Sequence, residues 1–108
     1  MIRDIHSNKE SVNVALYDLE QSIKLCKKQK DKVLSLIVGY GSTSGKHKIK
    51  NAVIDKLNEY KNNHFIKDFI EGNKLDIFNE EYQKFKYKNL IKDEDKLNKN
   101  PGIIYIIC

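Results

Sequence analysis

The sequence predicts an α/β fold of two layers, with helices on one face of a four-stranded sheet. The element order is βαβα, then β, an inserted segment and a last β. Three observations carry this. Two stretches repeat apolar residues at spacings of three and four, the mark of a helix with one buried face. Short apolar runs of strand length precede, separate and follow them. Strand-helix-strand units in turn imply parallel strands joined by right-handed crossovers. The 108 residues suit one domain over 1–108, with an insertion at about 73–100. Hydrophobic residues make up 40% and charged residues 32%, so a packed core is expected and wholesale disorder is not.

Taken in order, Ile2 to His6 reads as a short strand. Ser7-Asn8-Lys9-Glu10 fits a capping box, with the Ser hydroxyl and the Glu carboxylate each reaching the other residue's amide. Val12, Ala15, Leu16, Leu19, Ile23 and Cys26 then mark one helix face to about Lys28, and Lys27, Lys28 and Lys30 suit the negative end of its dipole. Val33 to Val38 is nearly all apolar, as for a central strand covered on both faces. Ile49, Ala52, Val53, Leu57 and Tyr60 mark a second helix that ends near Asn62-Asn63. Phe65 to Ile70 is read as a third strand, although its paired apolar residues also suit a helical turn. Phe78, Tyr82 and Phe85 suggest a short helix with one sticky side, followed by an exposed loop. Pro101-Gly102 is a turn signal, and Ile103 to Cys108 is the last strand.

Net charge is +5, which favours anionic partners and nucleic acid first. Base composition tempers that inference. All the basic residues except Arg3 are lysines, and a genome rich in A and T would favour Lys, Asn and Ile without any function. Cys26 and Cys108 form no metal motif and no disulfide framework. Cys26, on an apolar helix face, reads as core filler. No signal-peptide pattern and no apolar run of about eighteen residues is present, so a soluble cytoplasmic setting without membrane contact is expected.

The chemistry concentrates in Val38 to Lys48, "VGYGSTSGKHK". It is not a P-loop: Gly45-Lys46 supplies the second half, but Tyr40 and His47 stand where a glycine and a hydroxyl are needed. Nor is it a dinucleotide fingerprint, because Ser44 occupies the third glycine position. What remains is a helix N-terminus preceded by a flexible, hydroxyl-rich loop, which suits an anion. Gly39 and Gly41 would let a phosphate approach the backbone. Ser42, Thr43 and Ser44 offer hydroxyls, and Lys46 and Lys48 add charge. The plainer reading is a tight turn with Ser44 as helix cap. Asp4 and His6, two apart on a strand, share one face about 6.6 Å apart. A carboxylate there orients an imidazole and favours its charged form. In a parallel sheet both strand ends open at the same edge, where α/β sheets bind ligands.

Together the two elements resemble a family. "RDIHS" (Arg3 to Ser7) is similar to the Leu-Asp-Leu-His-Gly motif of the small MutS-related, or Smr, domain, and Val38 to Leu57 is similar to its Gly-x-Gly signature and following helix. The resemblance spans residues 2–72 and 101–108. It departs at Arg3, where an apolar residue is usual, at Ser7, which replaces the glycine, and at Val38, where many members carry Thr or His. It implies a βαβαββ fold shared with the C-terminal domain of bacterial translation initiation factor 3, the last strand antiparallel to the others. It also implies endonuclease activity on DNA or on messenger RNA at stalled ribosomes, a link to ribosome quality control. Asp4 and His6 carry over as the catalytic pair, and Gly39 and Gly41 as the phosphate loop.

The expected reaction is cleavage of RNA, or nicking of DNA, with His6 as acid-base catalyst oriented by Asp4 and the loop stabilising charge on the phosphate. No metal and no cofactor is expected, since no residues stand at ligand spacing. His47 and His64 read as bystanders. Lys84, Lys86 and Lys88 interleave with Phe85 and Tyr87, as in a stacking platform, though a solvated helix face explains the pattern more simply. The alternatives are an inactive module that binds nucleic acid or a ribosome, and a protein adaptor working through the inserted helix. The chain is read as a monomer or as part of a larger one.

Overall fold

The structure is a computed structural model that describes residues 1–5, 11–39, 48–91, 100 and 102–108. Four strands form one sheet: β1 (Ile2–Asp4), β2 (Val33–Ile37), β3 (Asp68–Glu71) and β4 (Ile103–Ile107). Helix α1 (Val12–Lys28) joins β1 to β2, and α2 (Lys48–Asn62) lies between β2 and β3. The strand order is β1-β2-β4-β3. β1 and β2 run parallel, and β4 runs antiparallel to both β2 and β3. This is the mixed sheet that the family resemblance implied, with β2 in the interior.

The sheet has two distinct faces. Leu34 and Leu36 of β2 and Ile104 and Ile106 of β4 point to one side, where they pack with Ala15, Leu19, Ile23 and Cys26 of α1 and Val53, Leu57 and Tyr60 of α2. These are the residues whose spacing marked the two helices in the sequence. On the other side Ile70, Tyr105 and Ile107 meet Leu75, Tyr82, Phe85 and Ile91. The segment after β3, with its short helix α3 (Glu80–Lys84), therefore covers the second face over β3 and β4. Toward β1 no described segment packs on that face, and Ile2 is 72% exposed. The alternate residues Val33, Ser35 and Ile37 of β2 are accordingly only half-buried rather than covered on both sides.

Several local expectations shift. Ser11 caps α1, its hydroxyl accepting from the Val14 amide at 3.3 Å, so the capping box expected from Ser7 and Glu10 does not start this helix. Ser7 and Glu10 themselves lie outside the described residues, as does most of the loop expected at 92–100. The third strand begins at Asp68 rather than Phe65, because the chain leaves α2 through a turn that occupies Phe65 and Ile66. Phe78 is 88% exposed and not on the sticky side of α3, whereas Tyr82 and Phe85 are buried. Phe85 is thus core and offers no stacking platform.

Both long helices end in the same way. At α1 the Asp31 amide donates to the Cys26 carbonyl and the Lys30 amide to that of Lys27; at α2 Phe65 donates to Tyr60 and His64 to Lys61. These are the paired bonds of a Schellman motif. Its left-handed residue is normally glycine, but here it is Lys30 (φ 60°) and His64 (φ 65°). The rings of Tyr60 and Phe65 meet edge to face at 4.8 Å and close the second motif with its usual apolar contact. Cys26 is buried, as its helix position suggested, and both cysteines are free thiols. Burial, and then the neighbouring Cys26, push the Cys108 thiol far up.

Candidate functional site

The edge of the sheet where β1 and β2 end is built from the backbone upward. Asp4 is the last residue of β1 and pairs in parallel register with Ile37, and the Ile5 amide continues the ladder to the Ile37 carbonyl at 3.0 Å. Alternation along β1 puts Arg3 on the helix side and Asp4 on the opposite, open face. Arg3 fills a position that the family pattern gives to an apolar residue. It fits because β1 is an edge strand: the stem lies along α1 and Nε donates to the buried Ser22 hydroxyl at 3.3 Å. Ser22 in turn donates to the Asp18 carbonyl at 2.7 Å.

Gly39 begins the loop two residues after β2. Its φ is 73°, a left-handed conformation that glycine adopts without strain. The turn before β4 fixes it there: the Val38 and Gly39 amides both donate to the Gly102 carbonyl, at 2.8 and 3.2 Å. Gly102 is itself held by its amide, which donates to the Asn100 side chain at 2.8 Å. A Cβ on Gly102 would stand 3.2 Å from the Asn100 side-chain oxygen and 3.3 Å from the Gly39 carbonyl carbon, a tight fit that would push these neighbours back by a few tenths of an ångström. A Cβ on Gly72, at the end of β3, would strike the Asn100 carbonyl oxygen. The ends of β2 and β3 and the start of β4 thus lock together through two close backbone approaches, Gly39 to Gly102 and Gly72 to Asn100. Gly72 and Gly102 escaped the sequence reading as positioning residues, although the Pro-Gly turn signal marked one of them.

Val38, just before the loop, is buried in the helix-side core. In this chain that position packs and does not face the open edge. Lys48 is the first residue of α2 and is exposed. Lys50, two residues further, is committed elsewhere. It pairs with Glu71 at 2.9 Å, and Glu71 also meets Lys74 at 3.4 Å. Burial alone would raise the Glu71 carboxyl, but Lys50 and Lys74 outweigh it and hold it below the usual carboxylate range.

Of the residues singled out in the sequence, Asp4, Gly39 and Lys48 are therefore placed at the strand ends and the start of α2. His6, Gly41, Ser42, Ser44, Lys46 and His47 lie outside the described residues. His64 sits after the far end of α2, exposed, and belongs to the helix-ending turn. Among the described residues no three His, Cys, Asp or Glu side chains gather in a way that would hold a metal ion, and no helix is long and apolar enough to cross a membrane.

No protein-family model matches the sequence, and no curated protein matches it. The fold does match a solved structure, the crystal structure of the Smr domain of Thermus thermophilus MutS2. The TM-score is 0.60 at 13% sequence identity, over 98% of this chain and 94% of that one. The chain therefore has an Smr-like fold, as the short motifs at Asp4-Ile5-His6 and Gly39-Tyr40-Gly41 implied.

Proposed function

We propose that the edge formed by the ends of β1 and β2 binds the phosphodiester backbone of nucleic acid, and that the protein is an endonuclease acting on RNA or nicking DNA. One observation carries this reading. Asp4 closes β1 in parallel register with β2, whose chain passes through a left-handed Gly39 toward the N-terminus of α2. The Asp-x-His and Gly-x-Gly elements, thirty-odd residues apart in the sequence, thus start from adjacent strand ends. A fold similar to that of the Smr domain of MutS2 supports the same reading.

In this proposal His6 moves the proton at the scissile phosphodiester and Asp4 orients the imidazole. On RNA the 2′-hydroxyl is the attacking group: it bonds to phosphorus, the 5′-oxygen leaves with the proton, and a cyclic phosphate remains. Gly39 and Gly41 leave room for the phosphate, while Ser42, Ser44, Lys46 and Lys48 supply donors and charge to its oxygens. Messenger RNA at a ribosome is one substrate of this class, and a cytoplasmic site of action would accompany it. The test incubates the purified chain with end-labelled RNA and DNA, with and without EDTA, beside His6→Ala. Cleavage that survives EDTA and disappears in the variant supports the enzyme. Salt-sensitive binding without cleavage in either protein would instead make it a binding module.

A further inference from the structure

A second basic site lies at the opposite edge of the sheet. A cavity of about 340 Å³ opens where α1 ends, β2 begins and β4 finishes. Four lysines line it: Lys27, Lys30, Lys32 and Lys67. None of the four has an ion-pair partner among the described residues, whereas Lys24, Lys50, Lys56, Lys61 and Lys74 each hold a carboxylate. The one acidic side chain in the lining, Asp31, faces the Met1 ammonium at 3.7 Å. Lys27 rests its cation 4.0 Å above the ring of Phe65, a residue outside the lining. The fold assembles this cluster: the left-handed turn at Lys30 reverses the chain after α1, and Lys67 joins through its amide bond to the Ile107 carbonyl at 2.8 Å.

The remaining wall is apolar. Tyr87 and Leu90 come from the segment that covers the second sheet face, and Ile107 forms part of the floor. The Tyr87 ring is braced edge to face against buried Phe85 at 6.1 Å. A cavity of this size is at the small end of ligand pockets. Unpaired cations beside a braced aromatic ring suit a ligand with a phosphate at one end and a flat ring at the other. We infer that this cavity binds a nucleoside monophosphate group, with its phosphate among Lys30, Lys32 and Lys67 and its base against Tyr87. The group can be a free mononucleotide or the phosphorylated end of a strand. This site does not depend on whether the opposite edge cleaves anything.

The test follows amide chemical shifts of the full chain while AMP is added at low salt. The expected shifts centre on residues 30–32, 67, 87–90 and 107. Lys32→Ser with Lys67→Ser, both exposed positions, should weaken AMP binding at least tenfold. Tyr87→Ala should weaken AMP several-fold and leave inorganic phosphate unchanged. Lys24→Ser, at an exposed lysine outside the cavity lining, should leave AMP binding as it is. A 5′-phosphorylated oligonucleotide that binds more tightly than both AMP and its unphosphorylated twin assigns the site to strand ends; AMP binding more tightly than either assigns it to free nucleotide. The inference is overturned if AMP produces no shifts at this edge at millimolar concentration, if the double lysine variant binds AMP like the wild type, or if Tyr87→Ala affects phosphate and AMP alike.

Discussion

Replacing His64 with glycine should make the protein more stable. His64 follows the last turn of α2 with φ 65°, in the left-handed region. There the Cβ of an L-residue crowds the next carbonyl at a cost of about 1–2 kcal/mol, which glycine avoids. Against this, glycine gives the unfolded chain more freedom, worth about 0.5–1 kcal/mol. The difference favours glycine by about 0.5–1 kcal/mol. Little else changes, because the bonds of the turn, His64 to Lys61 and Phe65 to Tyr60, run through the backbone. Urea unfolding followed by circular dichroism should show a higher midpoint at unchanged slope, with the melting temperature up by about 2–6 °C. Lys30→Gly should behave alike, since Lys30 plays the same part after α1 at φ 60°. Lys28→Gly, inside the last turn of α1, is the control and should lose about 0.7 kcal/mol. A His64→Gly protein no more stable than the wild type would refute the left-handed ending of α2.

Four further changes test the packing behind the candidate site. Glu71→Gln leaves Lys50, whose side chain is 14% exposed, without its carboxylate, and should cost about 2 kcal/mol, between the values for surface and buried pairs. Because the folded Glu71 carboxyl sits below its ordinary 4.5, its stabilisation is full above that value and disappears as pH falls through the lowered one. Urea midpoints of wild type and variant should therefore separate at pH 7 and converge in acid. Gly72→Ala drives a Cβ into the Asn100 carbonyl and should cost about 1–3 kcal/mol by thermal melting, with the amide shifts of Gly39 and Gly102 moving as the turn gives way. Phe85→Ala should cost about 3–5 kcal/mol in the same assay, whereas Phe78→Ser should stay within about 0.5 kcal/mol, because only Phe85 is buried against the second sheet face.

Much of this fold was legible because its periodicities are clean. Leu19, Ile23 and Cys26, and Val53, Leu57 and Tyr60, recur at helical spacing and all face the core. The run Val33 to Ile37 is an interior strand, as its apolar composition suggested, although only Leu34 and Leu36 are fully buried. What periodicity misses is set by the backbone. Ser7-x-x-Glu10 and Ser11 are both acceptable caps, and only the chain path selects Ser11. Phe65 and Ile66 look like strand residues, yet the left-handed turn at His64 claims them before pairing begins. The covering of the second face was illegible for another reason. The spacing of Phe78, Tyr82 and Phe85 marked a sticky side in this segment, but no local pattern says which surface it meets; contact with Ile70, Tyr105 and Ile107 is set by the chain path. At the candidate site, the Asp-x-His and Gly-x-Gly spacing pointed to adjacent strand ends, and Asp4 and Gly39 stand there. The packing of Gly72, Asn100 and Gly102 behind the loop depends on contacts between segments distant in the sequence, which no local pattern encodes.

Whether His6 carries the cleavage is decided by the single-turnover rate on RNA of the wild type and His6→Ala at saturating protein, with the bound fraction recorded for both. A positioned acid-base group contributes about 10²–10⁴-fold. At equal binding His6→Ala should cleave more slowly by at least about a hundredfold, and wild-type fragments should end in a cyclic phosphate. Equal rates in the two proteins, or RNA that is bound by both and cut by neither, would contradict that role of His6.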